Sequence, residues 1–65
     1  LTERELAILQ RVCRNMSYHE IAQELGITKR TVSFHISNML SKTGHKSIIG
    51  LAVEAAEKGY ASGKD

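Results

Sequence analysis

The 65-residue sequence has no proline, a single cysteine and no long apolar run. Without proline, no helical pattern along the chain is broken by a missing amide donor. Val, Ile and Thr nowhere alternate with polar residues for long. Apolar residues recur instead at helical spacing, so the expected class is all-α. One thiol, Cys13, cannot form an internal disulfide, which excludes a secreted, cross-linked scaffold. Cys13 is expected to be a small buried residue on a helix, with redox sensing as its other use. No stretch is long and apolar enough to span a membrane, and no signal peptide is visible. A cytoplasmic protein without a membrane partner is therefore expected.

Catalytic equipment is also missing. A chain this short buries only about 60% of its unfolded surface, which leaves no room for a deep substrate pocket. His19, His35 and His45 lack metal-ligand spacing and have no tight set of cysteine or carboxylate partners. No nucleophile–base pair and no glycine-rich phosphate loop is present. The expectation is no enzyme, no metal and no cofactor. His35, beside the inner face of its helix, is expected to be packed and hydrogen-bonded.

Acid is absent from one segment. Residues 28–46 carry Lys29, Arg30, Lys42 and Lys46 with no Asp or Glu, a net +4. Residues 1–27 and 47–65 each sum to −1, giving the overall +2. Positive charge gathered in one segment is the footprint expected opposite a phosphate backbone, although a solvated helix face can look the same.

What the chain does contain is helix punctuation. Thr2 with Glu5 forms a capping box and predicts a helix from Glu3, with Leu6, Leu9, Val12 and Cys13 as its apolar stripe. Asn15 can end it in the left-handed region. Ser17 with Glu20 is a second capping box, predicting a helix from Tyr18 to about Leu25 with Ile21, Ala22 and Leu25 inward. Gly26 can supply the sharp turn and Ile27 can plug it. Thr28 caps a third helix, Lys29 to Thr43, with Val32, Ile36, Met39, Leu40 and Thr43 on one side and Gly44 at its end. Ser47 caps a fourth through Lys58, with Gly59 after it and Ile48, Leu51, Ala52 and Ala55 inward. A small polar tail, 60–65, is expected to fray from an ordered core of about 1–59. The expected architecture is one compact four-helix domain.

The short link between the second and third helices predicts a helix-turn-helix. Ala22 is small where the helices approach, Gly26 sits in the turn, Ile27 seals it and Val32 fills the angle between them. At 3.6 residues per turn, the side opposite Val32 and Ile36 holds Arg30, Ser33, Phe34, Ser37, Asn38 and Ser41. Short polar residues on such a face can meet base edges in the major groove, and Phe34 can meet thymine methyl groups there or lean sideways onto the second helix or a partner domain. Lys29, Arg30, Lys42 and Lys46 are expected to hold phosphates. The amides at the start of the second helix, near Ser17 and Tyr18, are a further phosphate candidate.

The runs Leu1-Thr2-Glu3-Arg4-Glu5, Ser17-Tyr18-His19-Glu20-Ile21-Ala22, Thr31-Val32-Ser33-Phe34-His35-Ile36-Ser37-Asn38 and Lys42-Thr43-Gly44 together resemble the LuxR-type output domain. The likeness runs from Leu1 to about Gly59. It implies a tetrahelical domain that binds double-stranded DNA at the C-terminus of a bacterial transcription regulator, which fits a chain that opens at Leu1 without an initiator methionine. It implies dimers, often paired through the fourth helix, where Ile49, Val53 and Ala56 are the candidate contacts. It implies base-facing roles for Ser33, Phe34 and Ser37, and phosphate contacts for Lys29, Arg30, Thr31, Asn38 and Lys42. RNA polymerase is a candidate further partner. The input signal is phosphorylation, as in two-component response regulators, or a small molecule, as in quorum sensing; the run Thr31–His35 stands slightly closer to the second group. Asn15, Thr43 and Ile48 depart from the usual glycine, leucine and arginine. Two other readings compete: a sigma-factor-like promoter-recognition domain, and a helical protein-interaction module.

Overall fold

Each helix starts where a hydroxyl side chain can replace a missing acceptor. The structure, a computed structural model, describes residues 1–59, so the expectation of a fraying tail at 60–65 lies outside the described residues. Four helices follow in order: α1 (Glu3–Cys13), α2 (Tyr18–Leu25), α3 (Lys29–Thr43) and α4 (Ile48–Lys58), with no strand among the described residues. Their N-caps are Thr2, Ser17, Thr28 and Ser47, each accepting from a backbone amide three residues on. Both capping boxes close: the Glu5 carboxylate accepts from the Thr2 amide at 2.9 Å, and the Glu20 carboxylate from the Ser17 amide at 2.8 Å.

Left-handed residues end the helices. Asn15 has φ 65° after α1, where a short polar side chain tolerates it. Gly26 has φ 71° between α2 and α3, and a Cβ there would meet nothing within 4 Å. The cost of a side chain at Gly26 is therefore backbone strain alone. Gly26→Ala should lower the unfolding free energy by roughly 1–2 kcal/mol, and Gly26→Asn by less, in urea denaturation. Equal losses for the two variants would mean that a steric clash is responsible.

The core draws on every helix: Ile8 and Leu9, Ile21 and Ala22, Val32, Ile36 and Met39, Leu51 and Ala55. In α2, and in α3 as far as Leu40, this matches the expected inner faces, with Leu25, Ile27 and Leu40 packed at the edge. Two expectations are corrected. The buried stripe of α1 is Glu5, Ile8 and Leu9 with Val12 partly covered, and Cys13 is exposed. Positions 5, 8, 9 and 12 are the i, i+3, i+4, i+7 set of one helix face, and a glutamate opens it. Cys13 lies past that face; its thiol donates to the Ala52 carbonyl at 3.7 Å, and desolvation pushes its pKa up. Thr43 is also exposed rather than inward, its hydroxyl donating back to the Met39 carbonyl at 2.8 Å.

Candidate nucleic-acid interface

The helix-turn-helix consists of α2, a three-residue link and α3. Ala22, 4% exposed, lets the helices close on each other, and Val32 is fully buried between them. The Ile27 amide donates to the Ala22 carbonyl at 3.0 Å, which ties the turn to the end of α2. At the start of α3 the Thr28 hydroxyl accepts from the Thr31 amide at 3.1 Å and pairs with the Thr31 hydroxyl at 3.0 Å.

With its inner face anchored by Val32, Ile36 and Met39, α3 turns the opposite side to solvent. Arg30, Ser33, Phe34, Ser37 and Ser41 are exposed, and Thr31 and Asn38 are half-buried. Phe34 is 62% exposed, and its ring meets the half-buried His35 ring edge-on at 5.8 Å between centroids. His35 is half-buried with the exposed ring against it, and no side-chain hydrogen bond of His35 accompanies that packing among the described residues.

Residues 28–46 carry no acid, and two acids of other segments are engaged elsewhere. Glu24 pairs with Arg11; Glu54 pairs with His45 and with Lys58. The His45 and Lys58 hydrogen bonds hold the Glu54 carboxyl below the usual carboxylate range. Lys29, Arg30 and Lys46 are exposed and take part in no salt bridge among the described residues. Lys42 differs. Its ammonium donates to both oxygens of Glu5 at 2.9 Å, while half its side chain stays exposed. Glu5 is 3% exposed, and its carboxyl is held low first by the Thr2 amide and then by Lys42, against the opposing effect of burial. Sequence reading gave Glu5 only its capping role. The signal for the second role was the helical register that places position 5 on the face of Ile8, Leu9 and Val12.

At the start of α2, Ser17 and Tyr18 are exposed. The Ser17 and Glu20 amides are satisfied by the capping box, and the amides of Tyr18 and His19 lie in the first turn, where a helix offers no acceptor. A separate apolar surface lies on α4. Ile49 is 71% exposed, Val53 54%, and Ala56 is exposed beside them. They share a shallow groove with Val12 and Cys13 at the end of α1 and Met16 in the link that follows. No group of three or more His, Cys, Asp or Glu side chains among the described residues could hold a metal ion, and no helix there is long and apolar enough to cross a membrane.

The family model described as bacterial regulatory proteins, luxR family, matches residues 1–55. The transcriptional regulatory protein UhpA of Salmonella typhimurium is 38% identical over 52 residues, 80% of this chain and 26% of its own length. The transcriptional activator protein AnoR of Acinetobacter nosocomialis is 37% identical over 59 residues, 91% of this chain and 25% of its own. The response regulator protein VraR of Staphylococcus aureus is 50% identical over 42 residues, 65% of this chain and 20% of its own. The chain thus spans about a quarter of the length of the curated relatives it matches. No solved structure matches.

Proposed function

The chain belongs to the luxR family of bacterial regulatory proteins, and from that premise we propose that it is the DNA-binding output domain of a longer transcription regulator. It binds duplex DNA without catalysing a reaction. The observation that carries this reading is the outward side of α3, free of acid and rimmed by Lys29, Arg30 and Lys46, which take part in no salt bridge among the described residues.

In this reading α3 enters the major groove, with Ser33, Phe34 and Ser37 toward the base edges. Lys29, Arg30, Thr31, Asn38 and Lys46 hold phosphates on either side. Ser17 and Tyr18 add a contact at the start of α2, where amides and the helix dipole favour an anion. Lys42 contributes through its third ammonium proton, the other two being donated to Glu5. Two copies pair through Ile49, Val53 and Ala56 of α4, and each reads one half-site. The regulator works in the bacterial cytoplasm, receives its input signal through the rest of its chain, and acts on transcription with RNA polymerase as the further partner.

Duplex binding measured across a salt series tests the proposal. Affinity should fall steeply with rising salt, since each phosphate contact releases counterions. Lys46→Met should reduce the slope of log K against log salt by about 0.9, while Lys42→Met should change it less, because Glu5 already offsets that charge. Absence of any duplex binding at low salt would refute the reading.

A further inference from the structure

Phosphate binding does not explain Phe34. Its neighbours one turn away on α3 are Arg30, Thr31, Ser37 and Asn38, all polar, so no apolar side chain of its own helix covers the ring. At 62% exposure Phe34 leaves most of its surface to solvent. Its aromatic contact is the half-buried His35, the two rings meeting in a T-shaped arrangement. Ser33 and Ser37 stop at one hydroxyl each, which lets the helix backbone lie close to a surface with the phenyl ring leading.

The major groove offers few ways to use that surface. Guanine is read by two-pronged donors from Arg or Lys, adenine by Asn or Gln, and thymine presents an apolar C5 methyl. Arg30 and Asn38 are assigned to phosphates above, and Ser33 and Ser37 can bond to either base and so select none. Phe34 has no polar group to offer a base edge. The apolar group available in the groove is the methyl.

We propose that the base pairs under the centre of α3 are read through C5 methyl groups by Phe34, with Ser33 and Ser37 setting the close approach. The preferred half-site therefore carries thymine there. 5-Methylcytosine, with the same methyl at the same ring carbon, substitutes for it. This inference rests on the DNA-binding reading above.

The test begins with duplexes selected from a random library by the 65-residue chain. Each thymine of the selected half-site is then replaced by uracil, which lacks only the methyl. Loss of the methyl at one or two positions should weaken binding about threefold to fivefold, the cost of leaving one methyl unburied. Phe34→Ala should bind thymine and uracil duplexes equally, whereas Phe34→Leu should keep part of the preference. At the same position 5-methylcytosine should outbind cytosine by a similar factor. Because the ring is exposed, Phe34→Ala should melt at the wild-type temperature, so a loss of binding is not a loss of fold. Wild-type indifference to uracil at every position, or an undiminished preference in Phe34→Ala, overturns methyl reading while duplex binding survives. Failure to bind any duplex at low salt removes the DNA-binding reading itself, and this inference with it.

Discussion

Glu5→Ala should cost about 3 kcal/mol of folding stability, a large share of the roughly 3–10 kcal/mol available to a domain of this size. The buried carboxylate does three things at once. It accepts from the Thr2 amide, so its loss removes half of a capping box. It accepts from the Lys42 ammonium through both oxygens, which fastens the start of α1 to the last turn of α3. Its stem also fills a place beside Ile8 and Leu9, so truncation leaves a void. Lys42 is half exposed and can return to water when its partner goes, which keeps the cost below that of stranding a fully buried charge. Glu5→Gln, which keeps the volume and one acceptor, should cost about half as much. The pH dependence has a fixed sign. The folded-state pKa of Glu5 is lowered from its ordinary value of 4.5, by the Thr2 amide first and Lys42 second. Its stabilising contribution is therefore fully present above about pH 5 and is lost as pH falls through the lowered folded value. Urea denaturation between pH 7 and pH 3 should show wild type losing stability on the acid side and Glu5→Gln losing less. A Glu5→Ala loss under about 1 kcal/mol, or parallel pH profiles for wild type and Glu5→Gln, would contradict this account.

Glu5 also marks where sequence reading stops. The helix boundaries were legible because each is set by one local residue: Thr2, Ser17, Thr28 and Ser47 at the starts, Asn15 and Gly26, Gly44 and Gly59 near the ends. The inner faces of α2, α3 and α4 were legible because apolar residues mark them at helical spacing. On α1 the spacing misled. A stripe drawn through apolar residues alone runs over Leu6, Leu9, Val12 and Cys13, and misses Ile8. The buried face starts at a charged residue that only its distant partner makes tolerable, and Lys42 stands 37 positions away. No local pattern encodes that pair.

The candidate interface divides along the same line. That α3 presents Ser33, Phe34 and Ser37 outward follows from 3.6-residue periodicity once Val32 and Ile36 are inside. The cation rim followed from composition as a count of four, yet the fold distinguishes among its members. Among the described residues Lys29, Arg30 and Lys46 take part in no salt bridge, whereas Lys42 carries a counter-ion. The exposed side of α4 was legible in outline as Ile49, Val53 and Ala56. Its continuation into Val12, Cys13 and Met16 required the packing of α1 against α4.

Replacing Ile49 and Val53 together with glutamine should weaken binding to a duplex of two inverted half-sites by at least about 30-fold, and leave binding to a single half-site unchanged. Scattered exposed aliphatics are ordinary. Here two large ones and Ala56 fall at i, i+4 and i+7 on one helix and adjoin an apolar groove, a surface suited to pairing with its own copy. Once one copy is bound, a paired second copy meets its half-site at an effective concentration far above that in bulk. Such linkage typically adds about 100-fold to 10,000-fold in overall affinity. Glutamine is neutral and helix-tolerant, so the net +2 charge, the phosphate attraction and α4 itself are preserved. Leu51 and Ala55 are buried on the other side of α4 and keep the fold intact. The two-site duplex should have half-sites about 10 base pairs apart centre to centre, one helical turn, so that both face the dimer. Adding about half a turn between them should hurt wild type as much as the double substitution does, and should hardly affect the double variant. Equal losses on one-site and two-site duplexes would instead assign Ile49 and Val53 to DNA contact or to the fold. No loss on either duplex would remove α4 as the pairing surface.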